Sequence, residues 1–383
     1  LYLLLITSCP LRITILQGAF LPVPPVQGGA VEKLWYQLGQ QFAKLGHDVV
    51  HVSRTYPGLP RSETINGVRH LRIPGFGIPA NGLILKLYDL IYTIRALFVL
   101  PHADILITNT FWSPVLIRNS VPACGRVVVS VERMPKGQMI LYRHVPLLRS
   151  CSTSVRDRIL AEQPDLTPKT VVIPNALPFS SDHNQSPFTK KPVILYCGRV
   201  HPEKGLNLLI QAFAYAANHG LNGWTLRIVG SADVLHGGGG DCWLQTLKEL
   251  ARSMSSSIVW TGPIYDDQQL HREYSQASIF VYPSLAQGGE AMPIAPLEAM
   301  AYGAVPIVSD LSCFRDYITD GNNGVIFNHR SISSARLLAE AILSLTSNPA
   351  LLSALSEAAV GVRVTHDPSM IADRFIRVFS HLI

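Results

Sequence analysis

Short apolar runs alternate along this chain with stretches whose apolar residues recur every three or four positions. These are the marks of buried strands and one-sided helices. RITILQGAF (12–20) reads as a first strand, followed by a proline-rich loop, Gly28-Gly29 and a helix over AVEKLWYQLGQQFAKLG. GHDVVHVSR (46–54), HADILITNT (102–110) and GRVVVSVER (125–133) add strands, and VVIPNALP (171–178) closes this half. Residues 179–191, FSSDHNQSPFTKK, are polar and aperiodic and read as a linker. The pattern then restarts with KPVILYCGRV (191–200) as a strand and GLNLLIQAFAYAANHG (205–220) as a helix. WTLRIVG (224–230), SIVWTGPI (257–264), ASIFVYPS (277–284) and AVPIVSD (304–310) are further strands, and SMIADRFIRVFSHLI (369–383) is an amphipathic helix. Such alternation implies parallel sheets covered by helices. The expected organisation is α/β, with Rossmann-like domains over 1–180 and 191–368 and a C-terminal helix, 369–383, returning to the first. A ligand is expected at the carboxyl ends of the strands, in a crevice between the domains.

Residues 83–100, LILKLYDLIYTIRALFVL, form the most apolar stretch. Lys86, Asp89 and Arg95 argue against spanning a bilayer, and an ordinary buried helix is the preferred reading over a membrane-surface helix. The chain begins LYLLLITSCP. Ile6-Thr7-Ser8 before Cys9 looks like a lipoprotein cleavage box, but no charged segment precedes it, and a truncated start is preferred.

With 383 residues, 48% of them hydrophobic, the chain can build two cores. A net charge of +6 and a pI of about 9.0, without a Lys/Arg block, suit a small anionic ligand or an anionic membrane surface better than nucleic acid. Six scattered cysteines without a C-x-x-C pair disfavour disulfides and zinc and favour a reducing compartment, here the cytoplasm.

The chemistry concentrates in three short segments. In GGEAMPIAPLEAMAYG (288–303), prolines at 293 and 296 preclude one continuous helix, so a helix should start near Pro296 and stop at Gly303. Glu290 then lies in a loop without an evident salt-bridge partner, and Glu298 in the first helical turn, where free N–H groups and the helix dipole invite an anion. GRVHPEKG (198–205) places Arg199 and Lys204 on one loop, able to address the same oxygens. Two surface cations would be the plain alternative. Gly28-Gly29 lets a backbone approach a ligand but is equally an ordinary turn. No Gly-x-Gly-x-x-Gly fingerprint is present, which disfavours a nicotinamide oxidoreductase.

Taken in order, QGGAVEKLWYQLGQQFAKLGHDV, CSTSVRDRIL, YCGRVHPEKGLNLLIQAF, LRIVGSAD and GGEAMPIAPLEAMAYGAVPIVSD resemble the family 4 retaining glycosyltransferases, including their Glu-x7-Glu element at Glu290 and Glu298. The resemblance runs from about Arg12 onward and implies the GT-B fold, two Rossmann-like domains facing across a crevice. It implies a nucleotide diphosphate sugar as donor, with UDP- or GDP-sugars first among the choices, and retention of anomeric configuration in hexosyl transfer. By resemblance, Glu290 contacts the donor sugar, Glu298 the ribose, and Arg199 and Lys204 the diphosphate. Backbone groups at Ile294 and Ala295 meet phosphate and sugar, Ile264 lies on the base, and Gly28 and Gly29 close over the diphosphate. Asp-x-Asp is absent and Asp266-Asp267 reads as a helix start, so neither metal nor other cofactor is expected. Many family members carry a His after the fourth strand of the first half. Here Asn109 stands at that point, and Glu132 and Arg133 follow the next strand. These three are candidates for a different acceptor site, or are structural. The expected acceptor is a glycan, cell-surface polysaccharide or lipid-linked hydroxyl, with peripheral association at the inner membrane face. A non-catalytic nucleotide-sugar-binding partner of a glycosylation complex is the alternative.

Overall fold

The computed structural model describes residues 9–79, 81–117, 124–179, 189–254, 257–286 and 288–383. The leader-like residues 1–8 and most of the expected linker, 180–188, lie outside them. The chain divides into two compact units: Leu1–Ser180 with His366–Ile383, and Ser181–Thr365.

The first unit holds strands β1 (Arg12–Leu16), β2 (Asp48–Arg54), β3 (Ser62–Ile65), β4 (Val68–Ile73), β5 (Ile105–Thr108), β6 (Arg126–Val131), β7 (Leu147–Ser150) and β8 (Thr170–Val172). Their order is β3-β4-β2-β1-β5-β6-β7-β8, parallel except for the β3–β4 hairpin. Its helices are α1 (Ala30–Lys44), α2 (Gly82–Leu97), α3 (Ser113–Leu116) and α4 (Thr153–Glu162), with a C-terminal helix Pro368–Ser380. The second unit holds β9 (Lys191–Cys197), β10 (Thr225–Val229), β11 (Ile258–Gly262), β12 (Ala277–Tyr282), β13 (Val305–Ser309) and β14 (Val325–Phe327), in the order β11-β10-β9-β12-β13-β14, all parallel. Helices α5 (Leu206–Ala217), α6 (Gly240–Met254), α7 (Asp267–Gln276), α8 (Ile294–Ala301), α9 (Ser334–Thr346), α10 (Pro349–Ala359) and α11 (Val362–Thr365) belong to it.

The C-terminal helix joins the first unit through its apolar face. Phe375 and Phe379 pack against Phe42 of α1, and Phe375 against Trp35, with ring centroids 5.4 to 6.1 Å apart. These rings sit in one buried cluster with Ile13, Ile15, Ile105 and Val128 of the sheet. Burying aromatic side chains contributes about 1.5–3 kcal/mol each, enough to fix a helix that follows the whole second unit in sequence.

The hairpin β3–β4, absent from the sequence reading, turns on Asn66-Gly67, both at positive φ. That pair is a strong hairpin signal, but the flanking SETI and VRHLRI are too charged to read as apolar runs. Beneath α1 the hairpin buries a polar inlay. His51 and His70 pair across β2 and β4 with stacked rings 5.5 Å apart, and neither imidazole has a hydrogen-bond partner.

Among the described residues no single helix is long and apolar enough to cross a membrane. The bent pair Ser334–Thr346 and Pro349–Thr365 passes on length and composition, yet it buries Leu338, Ile342, Leu345 and Leu355 in the second unit. The segment 83–100 departs from the buried helix expected of it. It forms α2, and Leu83, Leu87, Ile94 and Phe98 stand exposed.

Candidate functional site

In the second unit the chain order reverses between β9 and β12, which are adjacent in the sheet. The loops leaving these two strands therefore emerge side by side, at the kind of position where α/β sheets bind ligands. One loop is GRVHPEKG, the other runs from Pro283 to Pro293. They are tied by a bond from the Leu285 N–H to the Glu203 carbonyl, 2.7 Å. Gly205 makes the approach feasible. Its φ is +69°, and a Cβ there would stand 2.2 Å from the Pro283 carbonyl oxygen. Any side chain would push the loops apart.

This juxtaposition brings Lys204 and Glu290 together across 86 positions. The Lys204 ammonium donates to Glu290 Oε1, and the Ser284 hydroxyl donates to the same oxygen at 2.7 Å. Lys204 and Glu290 are 5% and 7% exposed, so Glu290 is a buried member of an ion pair rather than the unpaired loop acid expected from sequence. The sequence could not pair two residues from different loops. Both hydrogen bonds land on Oε1, which leaves Oε2 available to a ligand. Tyr282 lies below, its ring 5.6 Å from the ammonium. Burial, reinforced by the nearby Glu290 charge, pushes the Tyr282 phenol well above its ordinary value, so it stays neutral.

Arg199 is half-exposed. It donates to the Gly237 carbonyl at 2.5 Å and to Glu203 at 2.8 Å. Lys204 also stands 3.7 Å from that Glu203 oxygen. Glu203, which sequence reasoning missed, thus couples the two cations. Its position four residues after Arg199, in the same short loop, was the available signal.

Helix α8 starts at Ile294, two residues before the predicted position. Pro296 occupies its third position, where a missing N–H costs no helical bond. Glu298 consequently lies one residue beyond the first turn, a correction to the expectation. It is nearly buried and accepts from the Tyr274 hydroxyl at 3.0 Å. Ile294 and Ala295 occupy the first two positions, whose N–H groups have no partner within the helix. The helix ends in a Schellman motif, with Gly303 N–H on Met300 O and Ala304 N–H on Ala299 O.

Ile264 is half-buried in the loop after β11. Its chain neighbour Pro263, though not Ile264 itself, lines a cavity of about 550 Å³ with Gly230, Ser231, Asp233, Lys248 and Trp260. That volume lies within the range of small-ligand pockets. No spacing in the sequence pointed to Lys248 or Trp260.

The remaining candidates lie in the first unit. Gly28 and Gly29 precede α1 with φ of +76° and +96°. A Cβ on Gly29 would fall on the Glu32 carboxylate, 2.2 Å away. Glu32 was not singled out from sequence, although a glycine cap followed three residues later by Glu is a helix-start pattern. Burial raises its carboxyl pKa, opposed by a bond from Gln17 and by Arg133. Asn109 is half-buried at the end of β5 and Arg133 is exposed. Asn109 therefore follows the fifth strand, because the hairpin adds two strands before the one read as third from the sequence. Glu132 is paired with buried Arg149 at 2.7 Å and accepts from Ser130 at 2.6 Å. This arrangement favours a structural part for Glu132.

Among the described residues no group of three or more His, Cys, Asp or Glu could hold a metal ion.

The family model described as glycosyl transferases group 1 matches residues 179–361. An exopolysaccharide phosphotransferase of Streptomyces coelicolor is 30% identical over 220 residues, which is 56% of this chain and 21% of that protein. A phosphatidyl-myo-inositol mannosyltransferase of Mycobacterium leprae is 27% identical over 187 residues, 49% of this chain and 46% of that one. The chain thus spans between about a fifth and about a half of these curated relatives. A sucrose-phosphate synthase from Thermosynechococcus elongatus superposes with a TM-score of 0.75 at 18% identity, over 97% of this chain and 99% of that one. Anabaena HepE, solved with UDP and glucose, gives 0.71 at 15% identity over 97% and 99%. The fold is that of GT-B glycosyltransferases, two units each built on a largely parallel sheet. The match to the glycosyl transferases group 1 lies in residues 179–361, a little under half of the chain.

Proposed function

We propose that the protein is a retaining, metal-independent glycosyltransferase that moves a hexosyl group from a UDP- or GDP-sugar to a hydroxyl of a glycan, cell-surface polysaccharide or glycolipid. The observation that carries this reading is the buried Lys204–Glu290 pair beside the first turn of α8. Burying two charges costs more than a hydrophobic pair would, so such a pair is weak support for stability alone. Here it leaves a carboxylate oxygen and two ammonium protons for a ligand.

Breaking an anomeric C–O bond leaves negative charge on the departing diphosphate. Lys204, Arg199 and the N–H groups of Ile294 and Ala295 stabilise that charge, and one such fixed donor contributes about 3–4 kcal/mol to the barrier. Two cations and a helix dipole then do what a divalent ion does elsewhere. Glu290 Oε2 orients the sugar hydroxyls, Glu298 holds the ribose, and Ile264 packs on the base. Retention follows if the acceptor attacks from the face the diphosphate leaves, with the diphosphate taking the acceptor proton. The names of relatives acting on exopolysaccharide and phosphatidylinositol support the acceptor class.

The test is donor hydrolysis and transfer with UDP- and GDP-sugars in EDTA, the product anomer being read by NMR. Turnover in EDTA with a retained anomer is expected. A strict Mn²⁺ or Mg²⁺ requirement, or an inverted product, refutes the corresponding part.

A further inference from the structure

Helix α2 is built inside out. Its inward face carries Asp89, Tyr92, Thr93 and Ala96, all buried. The Asp89 carboxylate accepts from the backbone of Phe111 at 3.1 Å and Trp112 at 2.9 Å, and Thr93 pairs with Ser113 at 3.3 Å. Its outward face carries Leu83, Leu87, Ile94 and Phe98, which follow one another on a single stripe of the helix. Leu83 is 77% and Phe98 84% exposed. A globular protein ordinarily places its polar residues on the outside of such a helix. A contiguous exposed apolar stripe marks a binding surface.

The charges beside the stripe identify the occupant. Lys86 and Arg95 project on opposite flanks, both exposed, and the helix's sole acid is the buried Asp89. Lys86 lies 4.7 Å from the Phe111 ring and Arg95 lies 5.0 Å from the Phe76 ring. Phe76 stacks on Tyr88 at 4.2 Å, and Trp112 donates to the Lys86 carbonyl at 2.8 Å. An apolar ridge bordered by cations and half-buried aromatic rings matches the chemistry of a bilayer interface: acyl chains at the centre, anionic headgroups at the sides. A protein partner would meet the ridge without needing cations on both flanks.

We infer that α2 docks this face on an anionic phospholipid bilayer, inserting Leu83, Leu87, Ile94 and Phe98 while Lys86 and Arg95 meet the headgroups. The surface belongs to the first unit and stands independently of the donor chemistry proposed for the second.

Vesicle co-sedimentation of the full chain tests it, using phosphatidylcholine vesicles and mixed phosphatidylcholine–phosphatidylglycerol vesicles. Binding to the mixed vesicles is expected, with Leu87→Asp and Phe98→Asp each lowering the partition coefficient about tenfold or more. Lys86→Gln and Arg95→Gln each lower it about fivefold. Far-UV circular dichroism and urea unfolding report whether the variants remain folded. Wild-type protein that stays in the supernatant with both vesicles, or binds both equally, overturns the proposal. So does partitioning that survives the two aspartate substitutions. A concentration-dependent dimer that Phe98→Asp abolishes, without vesicle binding, assigns the face to a second copy of the chain instead.

Discussion

Arg149 with Glu132 in the first unit and Lys204 with Glu290 in the second are buried ion pairs, and the two differ in what they leave over. Arg149 in the first unit is fully buried and spends its guanidinium on four acceptors: the Ile173 carbonyl, Ser130, Glu132 and Asn175, at 2.6 to 3.1 Å. Its face lies 5.5 Å from the Phe375 ring. Lys204 in the second unit donates to Glu290 and retains two further protons, while Glu290 retains an oxygen. A planar fork with four of its five N–H groups engaged ties β6 and β7 to the segment that follows β8. A point charge with donors to spare has capacity for a ligand. Burial of an ion pair is therefore no sign of function by itself; unfilled hydrogen-bonding capacity is.

The largest effect separates the pairs by stability. Arg149→Met leaves Glu132 buried without its cation, and a loss of about 3–5 kcal/mol is expected, read from urea unfolding. Unchanged stability would remove the structural half of the comparison. Next comes the mirror experiment. Lys204→Ala is expected to lower turnover by ~10²–10³ while stability falls by about 1–3 kcal/mol, because Glu290 keeps Ser284. If turnover holds and stability collapses, Lys204 is a second Arg149.

The two glutamates sharpen the site further. Glu298→Ala is expected to weaken nucleoside diphosphate binding about tenfold, roughly 1.4 kcal/mol, by isothermal titration. Glu290→Ala is expected to lower kcat with little change in that affinity. Equal changes in both would merge the ribose and sugar roles.

The smallest effect concerns the polar inlay of the first unit. Burial holds the His70 imidazole down at about 4, with Arg72 pressing in the same direction and Glu63 opposing, and burial lowers His51 likewise. A base depressed in the folded state binds its proton more readily when unfolded, so stability falls as pH drops from about 6.5 toward 4. At pH 6 the loss from His70 is under about 1 kcal/mol. Urea midpoints between pH 8 and pH 5 measure it, and His70→Phe should flatten the slope.

Periodicity was enough to locate nine of the strands and five helices, α1, α2, α5, α8 and the C-terminal one, since an apolar run bounded by turn residues carries its own evidence. It failed at β3–β4, where charged side chains disguise an edge hairpin, and at β7, β8 and β14, which are only three or four residues long. The same reading named Arg199, Lys204, Glu290 and Glu298 from local motifs. It missed Glu203 and Glu32, each offered by a local pattern, and Lys248 and Trp260, which line a cavity built from separate segments.

Helix α2 shows the limit most plainly. Its composition promised an apolar helix, and an apolar helix formed. Which face turned inward was decided by Asp89 finding two backbone N–H groups and Thr93 finding Ser113. Local sequence by itself set the elements, their ends at Gly303 and Asn66-Gly67, and the residue types available for chemistry, because propensity and capping act within a few positions. Only the tertiary structure decided that Lys204 meets Glu290 and that α2 shows its leucines to solvent, because strand order and burial are settled between segments far apart in the chain.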